Sequence, residues 1–187
     1  HIHVAEHEAD QEASLRFSGQ RAIERLASFG LLDSHAILAH CIHVDAWEMG
    51  LVRKSGAWVT HQPRSNMNNG VGAQQFDTLR RGGVKVAIGS DGIGHDMFTE
   101  WQTASFLHKL ARRDPRAASI DAIVDAGTRV NAELAESFFG QSIGRLIPGA
   151  AADVIVLDYD AYTPLTADTL LGHALFGFPG ATVTGTI

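Results

Sequence analysis

The sequence predicts an α/β fold in which parallel strands alternate with crossover helices, and three observations predict it. Four short segments each end a strand-like run on a metal-ligating or proton-transferring side chain: His3-Val-Ala-Glu6, His40-Cys-Ile-His43, His61-Gln-Pro63 and Gly89-Ser-Asp-Gly92. His3, His40, His61 and Asp91 are spaced by 37, 21 and 30 residues, about the length of a strand plus a crossover helix. The fourth strand candidate, residues 84–90, is rich in Val, Ile and Ala, as a buried parallel strand is. Consecutive βα units of one barrel satisfy all three. Strand ends converge in a barrel, so imidazoles and carboxylates from separate strands can surround one divalent cation and its bound water. Hydrolysis is the first chemistry this pattern suggests.

Each element has its own local reason. After the opening strand at residues 1–6, the stretch 20–29 places Ile23, Leu26 and Ala27 on one helical face, stopped by Gly30. A second strand is expected at 36–43. Asp45 with Glu48 three residues on forms a capping box, opening a helix through Arg53 that Gly56 ends. Residues 57–61 read as the third strand. The run 63–70, Pro-Arg-Ser-Asn-Met-Asn-Asn-Gly, is full of turn formers and lacks apolar periodicity, so it is expected to be a long functional loop before a helix at 72–81. Residues 84–90 make the fourth strand.

Beyond Asp91 the rhythm changes. Residues 99–113 form an amphipathic helix, and 120–126 and 128–139 two more. A Gly/Pro turn then leads into a short β-branched run at 152–158, a strand of a different sheet. A helix is expected at 166–176 and a last strand at 182–187.

Composition narrows the class. At 187 residues, 45% apolar and 19% charged, the chain is long enough for a sizeable core. A net charge of -6 leaves no basic footprint for nucleic acid or anionic lipid, and no apolar run reaches the length that spans a bilayer. The single cysteine, Cys41, excludes an intrachain disulfide and fits a reducing cytoplasm. The chain opens inside a strand-like run with no methionine, which suggests a partial sequence or a fragment.

The motifs in order are His-x-x-Glu, His-Cys-x-His, His-x-Pro-x-Ser-Asn and Gly-Ser-Asp-Gly. Gly-Arg-Leu-x-Pro-Gly-Ala-x-Ala-Asp-x-x-Val-Leu-Asp follows from Gly144. Together they resemble the C-terminal half of the amidohydrolase superfamily, in its aminohydrolase and chlorohydrolase branch. Residues 61–72 and 96–100 are most similar to aminohydrolases of the SsnA type. The resemblance implies strands 5 to 8 of a (β/α)8 barrel over residues 1–147 and part of a small β-sandwich, with an intervening helix, over 148–187. It also implies a homo-oligomer, a dimer in the first instance, acting on a small heterocyclic molecule, with neither nucleic acid nor membrane as partner.

Roles carry over residue by residue. His3 matches the metal-binding histidine of the fifth strand, and Glu6 the acid that shuttles protons. His40 matches the sixth-strand histidine that touches the hydrolytic water or substrate. Asp91 matches the eighth-strand aspartate, a metal ligand that accepts the water's proton. His61 and Asn66 are expected to meet substrate beside His40. The implied cofactor is one divalent ion, zinc first, with iron or manganese also compatible with such ligands. The ion lowers the pKa of a bound water toward ~7, and Glu6 protonates a ring nitrogen as hydroxide adds. The expected reaction is hydrolytic deamination of a nucleobase-like or other N-heteroaromatic ring, cleavage of a non-peptide C–N bond. Two same-superfamily readings stay open, cyclic amide or imide hydrolysis and dechlorination, as does an inactive half-barrel lacking the strand-one His-x-His.

Three residues along a strand reverse the facing side, so Glu6 must lie past the strand end, where the loop turns it back. His1, His7, His35, His43, His108 and His173 read as core or rim residues, and Trp47, Trp58 and Trp101 as packing. Cys41 reads as a small buried apolar residue.

Overall fold

The computed structural model describes residues 1–187. By its internal contacts the chain divides into His1–Ile93 and Gly94–Ile187.

In the first unit, β1 (Ile2–Val4), β2 (Ile37–His40), β3 (Trp58–His61) and β4 (Lys85–Ile88) form one parallel sheet in the order β1-β2-β3-β4. Between them run α1 (Glu8–Ser18), α2 (Ala22–Ser28), α3 (Ala46–Ser55), α4 (Pro63–Asn69) and α5 (Phe76–Arg81). Neighbours in sequence are neighbours in the sheet, the order of consecutive βα units in a barrel. The register pairs Val4 with His40, Ala39 with Thr60 and His61 with Ile88, so the C-terminal strand ends share one edge. Leu38, Val59 and Val86 form a buried row across three strands. Each contributes roughly 1.5–3 kcal/mol by leaving water.

The Asp45–Glu48 capping box forms as expected: the Glu48 amide donates to Asp45 Oδ1 at 2.9 Å, and Gly56 closes α3 at φ 77°. Other boundaries differ. The second strand stops at His40, short of the expected 43, because His40 and Cys41 turn to φ 72° and 46°, which no strand continues through. Residues 63–69 are a helix and not a loop. Pro63 sits in the first turn, where its fixed φ and missing N–H cost nothing, and Gly70 caps the other end at φ 65°. Burial of Ser65 and Asn66 outweighs the turn-forming bias of the asparagines. Helix α1 was not expected, because its buried residues are Gln11 and Ser14 and it carries no apolar stripe.

The second unit is mainly helical, with α6 (Met97–Arg112), α7 (Ile120–Asp125), α8 (Asn131–Phe139) and α9 (Leu170–Phe176). β5 (Ile155–Asp158) and β6 (Thr182–Thr186) pair antiparallel, with an irregularity at Val156/Leu157. The two helices expected at 120–139 are joined by a π-helical stretch, Ala126–Val130. Gly127 within it lies against the Trp101 indole, where a β-carbon would clash. Trp58 and Trp101 are buried as packing, whereas Trp47 is exposed. No helix is long and apolar enough to cross a membrane.

Candidate metal and proton-transfer site

β1 ends at Val4, and Ala5, at φ 51°, turns the chain so that Glu6 comes back toward the strand ends. The Ile42 and His43 amides both donate to the Ala5 carbonyl at 3.0 Å, and the Cys41 amide to that of Val4 at 3.1 Å, so the turns after β1 and β2 are clamped together. His40 is held from two sides. Its amide donates to Gln62 Oε1 at 3.1 Å, and its carbonyl accepts from Gln74 Nε2 at 2.6 Å. Asp91, at φ 53°, opens a 3-10 turn, Asp91–Ile93, just past β4. Left-handed backbone at four non-glycine residues, all at strand ends, costs on the order of 1–3 kcal/mol each.

These turns bring His3, Glu6, His40 and Asp91 together. The His3 and His40 rings meet edge to face at 5.0 Å, and His3, Glu6 and His40 offer ligand atoms within 4.8 Å of one another. His40 Nε2 lies 3.6 Å from Glu6 Oε2 and 3.8 Å from Asp91 Oδ2. That nitrogen is buried and has no hydrogen-bond partner. A buried orphan acceptor facing two carboxylates beside a second imidazole is a set that a divalent ion with its bound water satisfies. Two acids converging on one point also favour a cation there.

Helix α4 supports three members of the cluster. Ser65 Oγ donates to Asp91 Oδ2 at 2.6 Å, Asn69 Nδ2 donates to Glu6 Oε1 at 3.1 Å, and His40 Nδ1–H donates to Asn66 Oδ1 at 2.8 Å. An amide oxygen only accepts, so Asn66 places the ring proton on Nδ1 and leaves the Nε2 lone pair facing the carboxylates. The Ser65 hydroxyl holds the Asp91 carboxyl below the usual carboxylate range. Partial burial opposes this, and the Gly92 amide and the His40 and His3 rings add to it.

The other expected residues lie elsewhere. His61 ends β3 fully buried, its ring 5.9 Å from that of Phe76, and Asn66 is fully buried against His40. Neither presents surface to a substrate, and His40 too has none exposed. His1 is exposed. His7 caps α1, accepting from the Ala9 amide, and His43 Nε2–H donates to the Val71 carbonyl at 2.9 Å. Cys41 is fully buried, and burial, with the Glu48 charge behind it, pushes its thiol pKa up. Ser65, Asn69, Gln62 and Gln74 were not singled out from the sequence. The one signal for Gln62, Ser65 and Asn69 is the polar run 61–70, whose supporting geometry emerges only once 63–69 is a helix; Gln74 lies beyond that run.

Known proteins resemble this chain over its whole length. The amidohydrolase family model matches residues 1–187. A 5-methylthioadenosine/S-adenosylhomocysteine deaminase of Haloarcula marismortui is 34% identical over 191 residues, covering 100% of this chain and 43% of the relative. A 5'-deoxyadenosine deaminase of Methanopyrus kandleri is 36% identical over 161 residues, covering 84% of the chain and 36% of that protein. The crystal structure of an adenosine deaminase from Xanthomonas campestris with bound zinc superposes with TM-score 0.88 at 29% identity, over 100% of this chain and 43% of that one. E. coli guanine deaminase shares the fold, with TM-score 0.85 at 19% identity. The chain therefore spans less than half the length of the relatives it matches, and its parallel sheet is the C-terminal half of a (β/α)8 barrel.

Proposed function

The chain belongs to the amidohydrolase family, and from that premise we propose that it supplies much of the active site of a metal-dependent hydrolase that deaminates a purine-like ring. The observation that carries this reading is the convergence of His3, Glu6, His40 and Asp91 at one sheet edge around the unpartnered His40 Nε2. The named activities of the relatives support a 5'-modified adenosine as the first substrate to try.

His3 and Asp91 are the residues we assign to the ion, zinc in the first instance. When bound, such an ion supplies Lewis acidity and makes a water acidic enough to attack at neutral pH. The chain's own groups then divide the proton work. Asp91, kept charged by Ser65, receives the proton of the attacking water. Glu6 is partly exposed, so it can exchange protons with a ring nitrogen and with solvent, and its carboxylate is oriented by Asn69. His40, its tautomer set by Asn66, orients the attacking oxygen through Nε2.

Further parts of the reading are a barrel portion at 1–147, a partial sandwich at 148–187, a cytoplasmic location and a homodimer. The test is direct. The full-length protein, analysed for metal and offered 5'-deoxyadenosine, methylthioadenosine, guanine and a chlorotriazine, should hold one ion per chain and release ammonia from a purine. Two ions with cyclic-amide hydrolysis, chloride release alone, or no metal at all would overturn the reading.

A further inference from the structure

Glu48 is fully buried on α3 and takes no part in the chemistry above. Its carboxylate accepts from Arg21 Nε at 2.8 Å, from Gln11 Nε2 at 3.1 Å to both oxygens, and from the Ile23 and Asp45 amides at 3.1 and 3.2 Å. Asp45 Oδ2 also lies 3.0 Å from Arg21 Nε. A role confined to fastening α1, α2 and α3 would end there, and well-packed apolar residues fasten helices at least as well as a buried ion pair.

The same donors reach further. Arg21 Nη2 and Gln11 Nε2 also donate to the His43 carbonyl, at 2.8 and 3.0 Å. The amide of His43 donates to the Ala5 carbonyl, and Ala5 is the left-handed residue that turns Glu6 back toward His40. Between them lie His40 and Cys41, also left-handed, so this stretch needs external bonds to keep its shape. The Glu48 carboxylate, with Asp45 beside it on Arg21, holds Arg21 and Gln11 with further N–H groups aimed at that carbonyl.

We propose that the buried Arg21–Glu48–Gln11 cluster is a positioning device for Glu6, transmitted through the backbone of residues 41–43. Its kinetic consequence rests on the deaminase reading, whereas its structural consequence does not.

The experiment uses the full-length protein with Glu48→Gln, which keeps shape but removes the charge, and Arg21→Lys as the conservative partner. Amide hydrogen exchange at Ile42 and His43 should accelerate at least tenfold in Glu48→Gln while α7 and α8 are unchanged. A misplaced proton donor of this kind costs roughly 100-fold, so kcat for 5'-deoxyadenosine should fall by about that factor with KM within threefold. Arg21→Lys should show the same pattern at about tenfold, and it carries the test if Glu48→Gln does not fold. Unchanged exchange at 42 and 43, or faster exchange with kcat intact, would overturn the proposal and leave Glu48 as a fastener of helices. If the wild-type protein turns over no purine, the deaminase reading fails separately, and the exchange result alone decides the clamp.

Discussion

His40 and His173 are both buried histidines, one in each unit of the chain, and they are finished differently. In the second unit, His173 Nδ1 meets the Tyr159 hydroxyl at 2.5 Å and Nε2 meets Thr163 Oγ1 at 3.2 Å, so both ring nitrogens are used. In the first unit, His40 uses Nδ1 on Asn66 and leaves Nε2 without a partner, facing two acids. The backbone repeats the contrast. Non-glycine left-handed residues lie at the strand ends of the first unit, at Ala5, His40, Cys41 and Asp91, whereas in the second they are Arg113, which caps α6, and Ala118, which precedes α7. His173 closes its hydrogen bonds, whereas His40 keeps one ring nitrogen open. Strain and unsatisfied polarity are tolerated where chemistry is done.

The largest expected effect breaks the first unit's side of that contrast. Glu6→Gln in the full-length protein removes the proton carrier while leaving His3 and Asp91, so kcat for a purine substrate should fall by about 10³-fold, within the usual range for such groups. Metal content should stay at the wild-type level. Loss of metal in parallel with activity would move Glu6 from proton carrier to ligand, a role its position beside His3 and His40 also permits geometrically.

Next comes the residue that fixes the tautomer. Asn66→Leu keeps the volume but takes the acceptor from His40 Nδ1–H, and partners of this kind are worth roughly 10–100-fold in activity or metal affinity. Steady-state kinetics with metal analysis reads it. Full activity would mean that ring packing alone orients His40.

The matching change in the second unit should do the reverse. His173→Phe leaves the Tyr159 hydroxyl and Thr163 without their shared partner, which costs roughly 0.5–1.5 kcal/mol of stability, seen as a lower Tm, with kcat unaltered. A kcat loss with Tm intact would erase the distinction between the two histidines.

These pairs also mark how far the sequence could be read. Local signals carried well: the Asp45–Glu48 box and Gly56 placed α3, and β-branched runs placed the strands. The four residues that converge, His3, Glu6, His40 and Asp91, were legible because they lie at or just past the ends of strand-like runs in a recognisable order. What was not legible depends on partners distant in sequence. Helix α1 buries Gln11 and Ser14, whose inward face makes sense only opposite Glu48 and His43. Helix α4 has the composition of a loop, and its roles toward Asp91, His40 and Glu6 exist only in three dimensions. Within the π-helical stretch Gly127 fits against Trp101, a contact that no local periodicity encodes.

The smallest expected effect concerns the electrostatics that α4 imposes on the site. The Ser65 hydroxyl is the main cause of the lowered Asp91 pKa, so the folded carboxyl is easier to ionise than the unfolded one. Such a group adds stability once pH is above its unfolded value near 4, and the contribution disappears as pH falls through the depressed folded value. Ser65→Ala brings the two values closer, so metal-depleted protein should unfold at a higher pH on acidification than the wild type, with stability at neutral pH slightly reduced. Because Asp91 is about a quarter exposed, at 28% of its side chain, solvent screens much of the effect, and a small displacement of the midpoint in acid titrations followed by circular dichroism is the expected reading. An identical midpoint would mean that the hydroxyl orients Asp91 without energising it, and the unit's polarity would then reside in His40 and its two acids alone.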